Sequence, residues 1–227
     1  MGGLDLILVG AGCIPAILRA RQLGVVEQCA SNGCLTSSSW WACIAGIAAN
    51  YVMHGLIWNY PSGFANACRK QPLRSLGSGP VDVFASLEVP AKLVQGGSLL
   101  CFLGPVGRAA ALSAITSAPM WCWAAFGALV AAGQALNFAT YNAIGNAGVY
   151  YGFKFGVTVP WCYGFPFNSG LRHPQYTGVV LTLCGALPVL LSDETARKGL
   201  PQAIVAWAAM YSLMSAMEQA GDNDEKS

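Results

Sequence analysis

The sequence predicts an all-α fold: a polytopic transmembrane helical bundle of about four to six membrane segments, with a loop-rich site at one interface. Three observations carry that expectation. Hydrophobic residues make up 55% of the 227 and charged residues only 10%, against about 25% charged in ordinary soluble domains. Residues 109–153 contain no charged side chain at all. Several uncharged stretches approach the ~20 apolar residues that a helix needs to cross a bilayer, and a soluble fold would have to bury them behind a nearly uncharged surface.

Taken in order, the first apolar run is Leu4–Leu18. It has the length of a signal-peptide core, but Asp5 stands where basic residues belong, and Arg19 and Arg21 follow the run instead of preceding it. It reads as a short interfacial or re-entrant helix, with a cleaved or organelle-directing leader as the alternative. Trp40–Tyr60 is a full span, with Trp40, Trp41, Trp58 and Tyr60 at its ends as an aromatic belt. Residues 61–98 carry Pro61, Pro72, Pro80 and Pro90 among scattered charges and read as an extramembrane connection with little regular structure. The third segment begins near Leu99, and Met120–Ile144 is the fourth, rich in the Ala and Gly that suit close helix packing in lipid. Residues 145–175 lose the helical period in a crowd of Gly, Tyr, Phe and Pro. Irregular backbone at membrane depth must satisfy its own polar groups, most easily around a cavity. Tyr176–Leu191 and Leu200–Met217 close the chain as a hairpin around the charged turn 193–198. This divides the chain into residues 1–98, N-terminal segments and connection, and residues 99–227, a membrane core.

Composition excludes several function classes. The net charge is +2 with no basic stripe, so no nucleic-acid partner is expected. Nine dispersed Cys without a C-x-x-C pair, and only two His, give no metal pattern. No N-x-[ST] sequon occurs. The bilayer itself is the partner that the composition implies, and nothing in it fixes an oligomeric state.

The last hairpin brings residue 175 and residue 218 back to one face, which places Arg172, His173 and Tyr176 near Glu218. A cation, an imidazole, a phenol and a carboxylate then converge at one interface. Each has a plainer reading by itself: Arg172 reaching to a lipid phosphate, His173 at a helix start, Glu218 solvated, His54 a satisfied histidine. Their joint arrangement is what points to a site.

The densest stretch is Gly148-Val-Tyr-Tyr-Gly-Phe-Lys-Phe-Gly156, followed by Pro160-Trp161, Phe165-Pro-Phe167 and Arg172-His-Pro-Gln-Tyr-Thr-Gly178. With Gly133-Gln-Ala-Leu-Asn-Phe138 and Gly145-Asn-Ala-Gly148 upstream, it resembles the small membrane methyltransferases that act on phospholipids and isoprenylcysteine. Within them it is most similar to the plant-type phosphatidyl-N-methylethanolamine N-methyltransferases. The resemblance spans roughly residues 127–220 and rests on Arg-His-Pro-x-Tyr-x-Gly. The family's Gly-x-Gly here reads Ala131-Ala132-Gly133, and its carboxylate pair reads Glu218-Gln219, so each keeps one half.

The resemblance implies S-adenosyl-L-methionine as co-substrate, no metal, and a phospholipid substrate. It implies methylation of phosphatidyl-N-methylethanolamine and its dimethyl form to phosphatidylcholine, in the endoplasmic reticulum membrane. Glu218, with Gln219, would meet the donor's ammonium, while Arg172 or His173 would hold its carboxylate or a ribose hydroxyl. Tyr151 and Tyr176 would face its cation. Gly133, Gly145 and Gly148 would let the donor lie against the backbone. His173 or Glu218 would accept the proton that leaves the amine. Carboxyl methylation of prenylated cysteine, and a non-catalytic membrane homologue, are the alternatives.

Overall fold

The computed structural model describes residues 2–31 and 33–224, with side chains up to Glu218. Its regular structure among those residues is helical: α1 (Gly3–Leu23), α2 (Val26–Ala30), α3 (Ser38–Asn59), α4 (Pro61–Cys68), α5 (Pro80–Ser117), α6 (Met120–Val149), α7 (Pro174–Leu190), α8 (Asp193–Arg197) and α9 (Leu200–Asp224). Five of these are long and apolar enough to cross a membrane: α1, α3, α5, α6 and α9. The shorter apolar α7 lies among them. Their outward faces carry Ile7, Val52, Leu93, Leu112, Met120 and Leu213, all exposed. A water-soluble protein would not leave so much apolar surface uncovered, whereas acyl chains cover it without penalty. The protein is a multi-pass helical bundle.

Three elements differ from the sequence expectation. The first apolar run is a 21-residue helix, not a short interfacial one, because Pro15 sits inside it without ending it. The third segment starts at Pro80 instead of near Leu99, so α5 takes up much of the connection expected to be irregular. Proline at the first helical turn needs no backbone N–H partner, so Pro80 and likewise Pro61 open helices where they read as breakers. Pro105 follows Gly104, whose backbone leaves the helical region and kinks α5. Finally, Trp40 and Trp58 are buried while Trp41 and Tyr60 are exposed. Neighbouring helical residues point about 100° apart, so the tryptophan pair cannot lie wholly in a belt.

The tightest packing joins α6 to α7, and small residues explain it. A Cβ added at Gly133 would collide with the Gly178 carbonyl oxygen, and one at Gly178 with that of Gly133. Gln134 Nε2 donates to Thr182 Oγ1 at 3.0 Å alongside. Between apolar helices in lipid, such close approach supplies the attraction that burial supplies in water. α1 lies on α7, with Cys13 Sγ 3.6 Å from Cys184 Sγ. α3 packs against α5 and α9 through Trp40, Cys43, Ile47, Phe102 and Ala203. All nine cysteines are free. Burial raises the thiols of Cys29, Cys34 and Cys68 above their usual range, which leaves them weak nucleophiles.

Candidate active site

One end of the bundle gathers the C-terminus of α3, the first turns of α5, the 145–173 loop, the start of α7 and the far part of α9. The loop starts with a break in α6. Gly145 adopts φ 61°, ψ −175°, a backbone region open essentially to glycine alone. The last residues of α6 turn there toward the bundle, and the chain enters a 3-10 turn, Gly152–Phe155. Tyr151 precedes that turn with φ 56°, a left-handed conformation that a bulky residue adopts only where its surroundings hold it. Those surroundings are the rings of Trp58, Phe84 and His54, at 5.0, 5.5 and 5.8 Å between centroids.

Tyr151 is the hub of a hydrogen-bond network. Its hydroxyl donates to Glu218 Oε1 at 2.6 Å, and the Tyr176 hydroxyl donates to the same oxygen. His173 Nδ1 lies 3.7 Å from Glu218 Oε2, and its ring stacks on Tyr176 with 6° between the planes. The side chain of Glu218 is 12% exposed, so two phenols and an imidazole take the place of water around its charge. On the other side, His54 Nδ1 is 3.2 Å from the Tyr151 hydroxyl, and His54 Nε2 is 2.5 Å from Glu88 Oε1.

The start of α7 is fixed by a residue from the far end of the sequence. Asp5 is fully buried. It accepts hydrogen bonds from Gly2 N at 2.7 Å, Arg172 N at 3.3 Å and Thr177 Oγ1 at 2.5 Å. Three donors repay the desolvation of one carboxylate. They also tie α1 to the Arg172-His173-Pro174 corner, with Pro174 at the first position of α7.

A cavity of about 410 Å³ opens beside Glu218, lined also by Trp58, Gly148, Tyr151, Phe153, Trp161, Arg172, His173 and Tyr176. The hairpin therefore unites Gly148, Tyr151, Arg172, His173, Tyr176 and Glu218 around one space. Gly145 shapes this site through the kink, and the cavity lining does not include it. Gly133 is occupied by the helix contact with Gly178 and stands apart from the cavity. Gln219 lies in α9, but its side chain is outside the described residues. Sequence reasoning missed Asp5 as a brace and His54 with Glu88 as a pair. An acid inside an apolar helix was the available signal.

The phospholipid methyltransferase family matches residues 121–220, the span that contains the kink, the loop, α7 and Glu218. A phosphatidyl-N-methylethanolamine N-methyltransferase of Arabidopsis thaliana is 34% identical over 177 residues, covering 78% of this chain and 90% of that protein. The chain belongs to the phospholipid methyltransferase family. It is a membrane methyltransferase, and apart from Trp58 the residues that line the cavity at Glu218 lie within the matched span. No solved structure matches the chain.

Proposed function

We infer that this chain transfers methyl groups from S-adenosyl-L-methionine to the amine of a phospholipid headgroup. Phosphatidyl-N-methylethanolamine and its dimethyl form are converted to phosphatidylcholine, in the endoplasmic reticulum membrane that the resemblance implies. The observation that carries this reading is the Glu218 carboxylate, held by Tyr151 and Tyr176 in a cavity beside Arg172 and His173.

The lining suits such a donor. Glu218 offers a buried anion to its α-ammonium, and Arg172 or His173 a cation or N–H to its carboxylate or ribose. Tyr151 and Trp161 bring aromatic rings to the lining that suit a sulfonium, while Lys154 Nζ already lies 4.2 Å over the ring of Trp58. A cavity of about 410 Å³ lies in the ~300–1,000 Å³ range of small-molecule pockets. When bound, the donor supplies a methyl carbon whose bond to sulfur breaks as the bond to nitrogen forms. The protein's own part is to hold the amine in line with that carbon and to keep water out. It also receives the proton that the amine releases, at His173 or Glu218, directly or through one water. A cytosolic face is expected for this site, because such a donor is cytosolic.

Membranes that carry this chain, given S-adenosyl-L-methionine labelled on the methyl and phosphatidyl-N-methylethanolamine, test the reading once lipids are separated. Label in dimethylated phosphatidylethanolamine and phosphatidylcholine is expected. Label confined to prenylcysteine methyl ester, or absent from every acceptor, overturns it.

A further inference from the structure

A second cavity, of about 230 Å³, lies deeper in the same end of the bundle, between α3, α5, α6, α7 and α9. It shares Gln175 and Tyr176 with the larger one, so the two spaces meet along one wall. Its lining is polar in an unusual place. Glu88 stands inside the apolar helix α5 with a side chain 7% exposed, and a buried carboxylate in a membrane segment is expensive unless it serves a partner. Lys92, one turn further along α5, lies 3.4 Å from Glu88 Oε2 with a side chain 59% exposed, at the rim. Asn50 is 5% exposed, and its Oδ1 has no hydrogen-bond partner among the described residues. An orphaned acceptor of this kind costs about 1–3 kcal/mol. Packing alone gives no reason to keep it. Around these stand the rings of Tyr51, Phe138, Tyr141 and Tyr211.

We propose that this cavity binds the zwitterionic headgroup of the acceptor phospholipid, its ammonium against Glu88 and Asn50 and its phosphate against Lys92. The assignment rests on the methyltransferase reading above and adds the acceptor's place. The charge order fits the ligand: a buried anion and a cation at the rim complement an ammonium and a phosphate joined by a two-carbon link. An amine that retains a proton gives Asn50 Oδ1 the donor it lacks. The aromatic faces favour a cation that carries methyl groups as well as one that carries none, so the product of one transfer remains a substrate for the next. His54 acts as a positioning residue here, since its bond to Glu88 Oε1 orients the carboxylate and its other nitrogen meets Tyr151. The volume is below the ~300 Å³ at which drug-sized ligands begin to fit. It therefore takes a headgroup and leaves the acyl chains in the bilayer. Phe138, part of the lining and 67% exposed, marks the side from which the lipid enters.

The test is a steady-state analysis of the full chain in mixed micelles of phosphatidyl-N-methylethanolamine, with donor and lipid varied separately. Lys92→Ala, at an exposed position, and Glu88→Gln are expected to raise KM for the lipid about tenfold or more. KM for S-adenosyl-L-methionine is expected to stay within about twofold, and Lys92→Arg to restore the lipid KM. Active variants with an unchanged lipid KM, or with both KM values rising together, overturn the headgroup assignment alone. A wild-type chain that moves no methyl to the lipid overturns the methyltransferase reading and this assignment with it.

Discussion

The two ends of the bundle treat charge in opposite ways. At the turn between α7 and α9, Arg197 Nη2 meets Asp193 Oδ2 at 2.8 Å, with side chains 63% and 52% exposed. The pair is four residues apart on a single short helix, and Ser192 caps that helix by accepting from Thr195 N. That ion pair is local and wet. At the other end Asp5, Glu88 and Glu218 are buried or nearly so, and besides the local contacts of Asp5 with Gly2 and of Glu88 with Lys92 each has a partner from a distant segment: Thr177 for Asp5, His54 for Glu88, Tyr151 and Tyr176 for Glu218. An exposed ion pair is worth about 0–1 kcal/mol. A buried carboxylate is tolerated only with its hydrogen bonds complete, and removing its partners is costly. Charge alone thus does not mark the site; burial with non-local partners does.

Four substitutions sharpen this contrast. The largest effect is expected for Glu218→Gln, which keeps the shape and removes the charge. Methyl transfer to lipid should fall about 100-fold, the equivalent of one lost charge-assisted contact near 3 kcal/mol, with the purified protein still folded by circular dichroism. Asp5→Ala follows. It leaves Thr177 Oγ1 and Arg172 N without their acceptor and should lower stability by about 1–3 kcal/mol, read as a lower melting temperature in detergent, together with reduced activity. Gly145→Ala forces a side chain into φ 61° and should cost about 1–3 kcal/mol. If the kink positions the loop, activity falls with stability. Arg197→Ala at the opposite end is expected to change stability by no more than about 0.5 kcal/mol and activity not at all. An Arg197→Ala effect as large as that of Asp5→Ala would erase the distinction between the two ends.

The legibility of the molecule follows the same division. The hairpin of α7 and α9 could be read from two apolar runs around a charged turn, and it correctly brought Arg172, His173 and Tyr176 to Glu218. The 145–175 stretch announced itself because its crowd of Gly, Tyr, Phe and Pro loses the helical period. Glu88 was hidden by a specific error. Pro80 and Pro90 suggested an unstructured connection, so an acid among other charges drew no notice. Once α5 is known to start at Pro80, the same acid lies inside an apolar helix and asks for a partner. His54 was ambiguous for want of that partner, 34 residues away in sequence. Asp5 served only to argue against a leader peptide, since no local pattern shows that α1 will lie on α7. Gly133 illustrates the reverse case: a small residue in a membrane helix can serve a ligand or a neighbouring helix, and only the contact with Gly178 shows which one it meets.

The central claim is that the buried Glu218 end, and not the exposed charged turn, receives the methyl donor. Equilibrium binding of labelled S-adenosyl-L-methionine to the purified full chain in detergent tests it, with wild type, Glu218→Gln and Arg197→Ala measured side by side. The expected result is equal binding by wild type and Arg197→Ala, and binding weakened about 10- to 100-fold in Glu218→Gln. Undiminished binding in Glu218→Gln would contradict the account.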